Sequence, residues 1–336
     1  MINKYSLREL FVEVTNRCLL SCIHCSSCAC AQASETLSLE RLTKLIDDAH
    51  DMGLKSFTIS GGEPFLYPHL TELINYIKSK DLSFNIYTCG ILQDDNGKLV
   101  SLTDNLLASL LPLGPEKIIF SMHGSPTIHD QITGYEGAHE LTVCSIDKAI
   151  KYGFQVELHC VPMTINLNDI DYVANFANQR GLKCLSLLRL VYQGRCLDSL
   201  VPTKEDYIEL HHNVNNLKEK YPDLFIRRGT PFNCVTMSGS QCSAGKSKLL
   251  ISASGEVFPC EAFKSRRGKQ PIFDQQPLKD IWLGDILLNK VRDLNENGVP
   301  TCVGCEHYAL CGGGCHGERM ISTGFIEEGR DPLCLI

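Results

Sequence analysis

Short apolar runs alternate with amphipathic helical patterns over the first two thirds of this 336-residue chain. Between the runs, apolar residues recur at helical spacing, as in Leu42, Leu45 and Ala49. This alternation predicts an α/β fold with a parallel sheet and right-handed crossovers. The predicted strands are Leu10–Val14, Ser56–Ser60, Phe84–Thr88, Lys117–Ser121, Val156–Val161 and Cys184–Leu190.

Capping and turn residues occur where these elements should begin and end. Ser38 can cap the start of the first helix, and Gly53, Gly153 and Gly181 can end three of the helices, the first one included. Further along, residues 248–259 have a hairpin pattern, with Ser254 and Gly255 at its turn.

Six strand–helix units are too few to close a barrel. A complete (β/α)8 barrel takes ~250 residues, whereas the alternating region ends near Tyr221. We therefore predict a partial (β/α)6 TIM-like barrel over residues 1–225 and a small cysteine-rich unit over residues 226–336. In barrels of this kind the chemistry lies at the C-terminal ends of the strands.

Eighteen cysteines are far more than a chain of this length usually contains. The start, MINKYSLREL, has no apolar core of a signal peptide. We therefore predict a cytoplasmic protein whose cysteines bind metal rather than form disulfide bonds. No stretch approaches the ~20 apolar residues of a membrane span. The net charge is −7 and the one short basic patch is residues 264–267, so we expect neither a membrane nor a nucleic acid as partner.

Three cysteines follow the first predicted strand at the spacing Cys-x3-Cys-x2-Cys: Cys18, Cys22 and Cys25. Three thiolates at this spacing can hold three corners of an iron–sulfur cube. The fourth iron is then left open, which is typical of a working site rather than a structural one. A second motif follows the second predicted strand and consists of Gly61, Gly62, Glu63 and Pro64.

Together these two motifs resemble those of the radical SAM superfamily. The resemblance implies that S-adenosylmethionine chelates the open iron through its amino and carboxylate groups, and that the Gly-Gly-Glu-Pro segment lines the amine. It also implies cofactor contacts from three residues: His24 beside Cys25, Thr88 after the third strand and Ser121 after the fourth. Arg189 could pair with the methionyl carboxylate in a bidentate fork, or form a surface salt bridge instead.

A second set of cysteines lies in the C-terminal third of the chain. Its members are Cys242, Cys260, Cys302, Cys305, Cys311, Cys315 and Cys334. Their spacing is similar to the seven-cysteine pattern of the SPASM extension, which is found in peptide-modifying radical SAM enzymes. A zinc knuckle is an alternative for the four cysteines of residues 302–315, since tetrahedral thiolate sites suit zinc equally.

The resemblance implies two auxiliary clusters, and therefore three [4Fe-4S] clusters in all. Cys242, Cys260 and Cys315 would hold the first auxiliary cluster, and the remaining four cysteines would hold the second. The first cluster then lacks a fourth ligand. Cys234, eight residues before Cys242, could supply it.

Two kinds of catalytic side chain are expected. Glu261 directly follows Cys260, where sulfatase-maturing relatives carry an acidic base, and could take the proton that leaves when a radical is oxidised. A solvated loop carboxylate is the alternative. Four thiols could instead donate a hydrogen atom: those of Cys89, Cys160, Cys196 and Cys234.

The resemblance implies that S-adenosylmethionine is cleaved to a 5′-deoxyadenosyl radical, which abstracts hydrogen from a ribosomally made peptide. An intramolecular crosslink (thioether, carbon–carbon or ether) is the expected product. Peptide epimerisation, formylglycine formation, small-molecule dehydrogenation and a non-enzymatic iron–sulfur module stay open. A flavodoxin- or ferredoxin-type protein is the expected electron donor. Because the first strand begins within about ten residues, either the barrel or a separate recognition protein is expected to bind the peptide.

Overall fold

The computed structural model describes residues 4–264 and 270–336, so most of the basic patch at 264–267 lies outside the described residues. The strands are β1 Glu9–Thr15, β2 Ser56–Gly61, β3 Ser83–Thr88, β4 Ile91–Gln93, β5 Leu99–Ser101, β6 Lys117–Ser121, β7 Val156–Cys160, β8 Cys184–Leu187, β9 Phe225–Arg228, β10 Lys248–Ile251 and β11 Val257–Phe258. The α-helices are α1 Leu39–Asp51, α2 Leu70–Ser79, α3 Asp104–Leu110, α4 Pro126–Thr133, α5 Ala138–Lys151, α6 Ile170–Gln179, α7 Lys204–Lys220, α8 Asn233–Thr236, α9 Leu278–Gly284, α10 Ile286–Asn297, α11 Tyr308–Cys311 and α12 His316–Thr323.

The six predicted strands are confirmed as β1, β2, β3, β6, β7 and β8, and they pair in parallel in that order. The sheet is wider than the sequence predicted. β9 pairs in parallel with β8 at one edge, and β10 pairs in parallel with β1 at the other. The edge strands β9 and β11 do not pair with each other among the described residues, so the barrel is open, as predicted.

The predicted hairpin over residues 248–259 is also confirmed. Its strands β10 and β11 pair antiparallel, with Ile251 opposite Val257. Gly255 in the turn has φ +92°, a backbone conformation that residues other than glycine rarely adopt. The hairpin extends the barrel sheet although it belongs to the C-terminal part of the chain. The predicted boundary between residues 225 and 226 falls inside β9, which belongs to the barrel sheet, and the division into two domains stays a prediction.

The helices cover the sheet through the apolar faces that the sequence indicated. α1 buries Leu42, Leu45, Ile46 and Ala49, and the Ser38 side chain accepts a hydrogen bond from the Arg41 backbone at its N-terminus. Burying this apolar stripe against the sheet provides most of the stability of such a helix. Within the described residues, no helix combines the length and apolar character that a membrane span requires.

The crossover order places the C-terminal ends of β1, β2, β3 and β6 along one edge of the sheet. The cysteine loop follows β1, the Gly-Gly-Glu-Pro segment follows β2, and Thr88 ends β3. The fold therefore brings together motifs that are separated by up to about seventy residues in the sequence.

Candidate active site

The loop that carries Cys18, Cys22 and Cys25 is held by backbone hydrogen bonds at several points. Cys18 donates to the Cys30 carbonyl at 3.0 Å. Arg195 donates from Nε to the Cys22 carbonyl and from Nη1 to the Ala29 carbonyl, both at 2.9 Å. Arg195 lies in the segment after β8, so the segment that follows the last predicted strand fixes the cysteine loop that follows the first strand, β1.

The three thiols of this loop fit a metal cluster. Burial raises the pKa of Cys22, and the charges of Cys18 and Cys25 raise it further. Three thiolates that repel one another this closely need a cationic partner, and the irons of a cluster provide one. All eighteen cysteines, which lie within the described ranges, are free thiols.

The Gly61–Pro64 segment packs directly on the cysteine loop. Gly62 donates to the Thr15 carbonyl at 2.7 Å, and Glu63 donates to the Arg17 carbonyl at 2.9 Å. A Cβ atom on Gly62 would overlap the carbonyl of Arg17. Only glycine therefore permits this close approach between the two motifs.

Glu63 is fully buried, and its carboxylate accepts hydrogen bonds from three residues. Thr88 Oγ1 donates at 2.8 Å, the Cys89 backbone at 2.9 Å and the Phe65 backbone at 3.2 Å. Burial raises the pKa of Glu63, and the hydrogen bonds from Cys89 and Thr88 oppose that shift. This carboxylate ties the ends of β2 and β3 into one rigid rim.

Cys89, a predicted hydrogen-atom donor, lies at the edge of the cysteine triad. Its Sγ donates to Glu63 Oε2 at 2.9 Å. The neighbouring Cys89 side chain is also the main cause that lowers the pKa of Cys18. The sequence did not indicate this proximity.

His24 and Ser121 lie on the same rim. The His24 ring is buried 4.6 Å from the ring of His123, which lies two residues after Ser121 at the end of β6. Burial lowers the pKa of His24 to about 4, so this ring is neutral at physiological pH. The proposed cofactor contacts of both residues stay predictions.

Arg189 lies just after β8 and faces the C-terminal part of the chain. Its Nη1 donates to Asp331 Oδ2 at 2.8 Å and to the Pro231 carbonyl at 2.9 Å, and its side chain is 4% exposed. The surface salt bridge considered as the alternative is therefore wrong, since this pair is buried. A contact with the methionyl carboxylate stays a prediction.

The C-terminal cysteines form two groups. In the first, burial and the charge of Cys242 raise the pKa of Cys260 to about 12. Burial is also the main cause that raises the pKa of Cys315, and the charge of Cys260 adds to it. In the second, one cavity is lined by four of the predicted ligands: Cys302, Cys305, Cys311 and Cys334. Cluster ligation by these two groups stays a prediction.

Cys234 lines the cavity of the second group. It lies on the short helix α8, which packs against α11, the helix that ends at Cys311. The sequence interpretation paired Cys234 with Cys242 because the two are close in the chain. A ligand role for Cys234 stays a prediction, and the second group is the one beside which the structure places it.

Glu261 lies between the cysteine triad and the first auxiliary group. Its Oε1 accepts a hydrogen bond from Ser26, the residue after Cys25, and lies 3.3 Å from Lys264 Nζ. The side chain is 34% exposed and is therefore in contact with solvent. Its position beside Cys260 therefore brings a carboxylate close to the triad loop and to the first auxiliary group.

Lys264, which the sequence indicated only as part of a short basic patch, links this carboxylate to the barrel. Its Nζ lies 2.7 Å from Glu13 Oε1, and Glu13 also accepts a hydrogen bond from Ser27. Burial lowers the pKa of Lys264, but Glu261 and Glu13 outweigh that effect and raise it above its usual value. The sequence signal for the ion pair between Lys264 and the barrel was Glu13, a charged residue inside an apolar strand.

Of the other predicted hydrogen-atom donors, Cys160 is fully buried at the end of β7 and Cys196 is 7% exposed. Burial raises the pKa of both thiols, that of Cys196 to about 11. Cys160 is in contact with Asn166 Nδ2, at 3.9 Å. These two cysteines thus behave as core residues of the barrel.

A partial parallel barrel with a cysteine triad after β1, a Gly-Gly-Glu-Pro rim and a cysteine-rich extension defines a radical SAM enzyme. The family model "Radical SAM superfamily" matches residues 12–177, and the model "Iron-sulfur cluster-binding domain", SPASM, matches residues 242–306. This chain belongs to the radical SAM superfamily and carries a SPASM domain.

Curated relatives match over nearly the whole chain. The PqqA peptide cyclase of Rhizobium meliloti is 28% identical over 97% of this chain and 86% of that protein. Mycofactocin maturase MftC of Mycobacterium tuberculosis is 25% identical over 96% and 81%. The AdoMet-dependent heme synthase of Methanosarcina barkeri is 26% identical over 96% and 95%.

Solved structures show the same fold. Streptococcus suis SuiB bound to its precursor peptide SuiA superposes with a TM-score of 0.79 at 17% identity, over 98% of this chain and 76% of that one. The predicted combination of a partial barrel with a SPASM extension is therefore confirmed.

Proposed function

We propose that this enzyme abstracts a hydrogen atom from a ribosomally made peptide and forms a crosslink within it. One observation supports the oxidative outcome most directly: Glu261 lies between the triad loop and the first auxiliary group. Oxidation of a substrate radical releases a proton and an electron. Glu261 is placed to take the proton, and the adjacent Cys260 belongs to the group that takes the electron.

The cofactors in this proposal are S-adenosylmethionine and three [4Fe-4S] clusters, one on the triad and one on each auxiliary group. When bound, they supply the 5′-deoxyadenosyl radical and the electron acceptor that the chemistry requires. The family models support iron–sulfur binding in both parts of the chain, and the count of three is our proposal.

The chain's own residues position these groups. Glu63, fixed by Thr88 and Cys89, holds the Gly61–Pro64 segment against the triad loop, where its backbone can receive the methionyl amine. Ser26 and Lys264 fix the direction of the Glu261 carboxylate. Preorganised groups of this kind lower the barrier because no reorganisation is needed during the reaction.

Two relatives are named as a peptide cyclase and a maturase, and SuiB was solved with a precursor peptide. These names support a peptide substrate for this chain. A cytoplasmic location, a flavodoxin- or ferredoxin-type electron donor and a separate peptide-recognition protein complete the proposal.

Anaerobic reconstitution followed by an assay for 5′-deoxyadenosine tests the enzymatic part of this proposal. Co-expression with a short peptide encoded beside the gene, followed by mass analysis, tests the product. Loss of two hydrogens per event supports a crosslink. An unchanged mass with deuterium incorporation from heavy water would instead assign epimerisation. One relative is named a heme synthase, and turnover of a heme precursor without any peptide modification would reject a peptide substrate.

The variant E261Q separates proton transfer from radical generation. We expect it to retain iron and S-adenosylmethionine cleavage but to lose most of the modified peptide. E256Q, which changes a carboxylate in the β10–β11 turn, is the matched control and should behave as wild type. Full product formation by E261Q would contradict the proposed role of Glu261.

A further inference from the structure

A second cavity lies at the β9 edge of the sheet, and none of its lining residues belongs to the candidate active site. Its volume is about 410 Å³, and it lies between β9, α7 and the segment after α8. It is large enough for several atoms of a ligand, since one water molecule occupies about 30 Å³ of liquid volume.

The lining of this cavity is cationic. His211, Asn215 and Lys218 are four and three residues apart on α7, so they share one face of that helix. Arg228 of β9 completes the lining from the opposite side, whereas the side chain of its neighbour Arg227 is directed to Ser186 and Glu157. The lining contains no Asp or Glu within the described residues, so no lining residue balances the charges of Lys218 and Arg228.

The positive charges in the cavity destabilise one another. Burial lowers the pKa of Arg228, and burial together with the Arg228 charge lowers the pKa of Lys218. Arg227 has a partial counterion, since Glu157 lies 3.7 Å away. Lys218 and Arg228 form no ion pair in the part of the chain that the structure describes. A bound anion would relieve this repulsion.

Two hydrogen-bond donors in the lining are buried without a partner among the described residues. Arg228 donates to His211 from Nη1 and to Asn215 from Nη2, which leaves Nε unused. Thr236 Oγ1 is also buried and unpaired. Buried polar groups are nearly always hydrogen-bonded, so the described residues leave two donors of this region unsatisfied. The head groups of Lys218 and Arg228 can form charge-assisted bonds with a carboxylate.

The edge of the sheet indicates which anion fits. Among the described residues β9 pairs with β8 alone, so its outer edge carries no other described strand. Phe225, at the start of β9, also lines the cavity and is 62% exposed. A free phosphate would use the charges of the cavity but neither the strand edge nor Phe225. An extended peptide would use all three.

We propose that this cavity binds an acidic, extended segment of the peptide substrate, with carboxylates on Lys218 and Arg228 and backbone along β9. This inference rests on the proposed function, because it assigns the ligand to the same peptide. The site would hold the peptide at a distance from the reacting residue and so add affinity without taking part in the chemistry.

Fluorescence anisotropy of the reconstituted enzyme, without reductant, tests this site. The probe is a labelled decapeptide of alternating valine and glutamate, and the comparison peptide replaces glutamate by glutamine. We expect binding only of the glutamate peptide. We expect K218Q/R228Q to weaken it about tenfold or more, which corresponds to at least about 1.4 kcal/mol. The control K220Q changes an α7 lysine outside the cavity and should bind as wild type.

F225A provides a second variant that removes no buried charge and should also weaken binding. Equal affinity for both peptides, or wild-type affinity in both K218Q/R228Q and F225A, would overturn the proposal. If the glutamate peptide gives no binding signal and inorganic phosphate binds the protein, the cavity is assigned to a small anion and the peptide is rejected. The anisotropy measurement involves no turnover. Failure of S-adenosylmethionine cleavage in the separate 5′-deoxyadenosine assay would therefore reject the proposed function, while probe binding would still be intact.

Discussion

Arg189 and Asp331 form a buried ion pair, with 2.8 Å between Arg189 Nη1 and Asp331 Oδ2 and side-chain exposures of 4% and 0%. The pair joins the end of β8 to the C-terminal part of the chain. Asp331 Oδ2 also accepts a hydrogen bond from the Cys315 backbone at 2.6 Å, and the Asp331 carbonyl accepts one from Cys334 at 2.8 Å. One carboxylate residue therefore supports a member of each auxiliary cysteine group.

Replacement of Asp331 by alanine should destabilise the protein and reduce its iron content. The change removes the 2.8 Å partner of the buried Arg189 charge and leaves it with Glu318 at 3.8 Å; breaking a buried pair typically costs about 3–5 kcal/mol. Chemical denaturation and iron analysis of the reconstituted protein measure the two effects. R180Q, which breaks the more exposed pair of Arg180 and Asp147, should cost only about 0–1 kcal/mol. Unchanged stability and iron content in D331A would contradict this account.

Replacement of all three triad cysteines by alanine should remove one cluster and leave the auxiliary groups loaded. Cys18, Cys22 and Cys25 lie on a loop of their own after β1, separate from the C-terminal cysteines. We expect iron to fall by one cluster's content and 5′-deoxyadenosine formation to stop. Iron analysis and electron paramagnetic resonance of the reduced protein measure this. The control C144A changes a half-buried helical cysteine and should retain both properties, whereas complete loss of iron in the triple variant would show that the sites are interdependent.

Replacement of Gly62 by alanine should impair the cluster loop. A Cβ atom at this position meets the backbone of Arg17, which cannot move without shifting the residues next to Cys18. We expect weaker S-adenosylmethionine binding and a more labile triad cluster, measured by calorimetry and by the rate of iron release to a chelator. G284A is a suitable control, because a Cβ atom at Gly284 meets nothing within 4 Å. Wild-type affinity in G62A would show that the loop adapts.

Replacement of His159 by glutamine should change how stability depends on pH. Burial is the main cause that lowers the pKa of His159 to about 3, and the charges of Arg227, Lys248 and Lys117 add to it. The unfolded chain, in which the pKa lies near 6.5, therefore binds a proton in a range where the folded protein does not. Stability from this group is present above about pH 6.5 and is lost as the pH falls towards 3.

Wild type should thus lose roughly 2 kcal/mol more than H159Q between pH 7 and pH 5. Urea denaturation of both proteins at the two pH values measures the difference. H50Q, which changes an exposed histidine on α1, serves as the control and should follow wild type. Parallel pH profiles for wild type and H159Q would contradict a buried, neutral His159.

The sequence was sufficient for the six central strands because their apolar runs are bounded by helical patterns of a different period. It was also sufficient for the triad, since consecutive ligands on one loop need no long-range information. The strands β9 and β10 were not recognised as parts of the barrel sheet. Their pairing with β8 and β1 is fixed by contacts between distant parts of the chain.

The site shows the same division. Residue types and spacing were sufficient to predict a cluster on cysteines 18, 22 and 25, because ligand chemistry is local, and the family resemblance implied clusters on the seven C-terminal cysteines. Only the tertiary structure decided that Lys264 joins Glu261 to Glu13, that Arg189 is paired with Asp331, and that Cys234 lies beside the second auxiliary group. A charged side chain finds its partner by position in space, and the sequence does not encode that position in any short pattern.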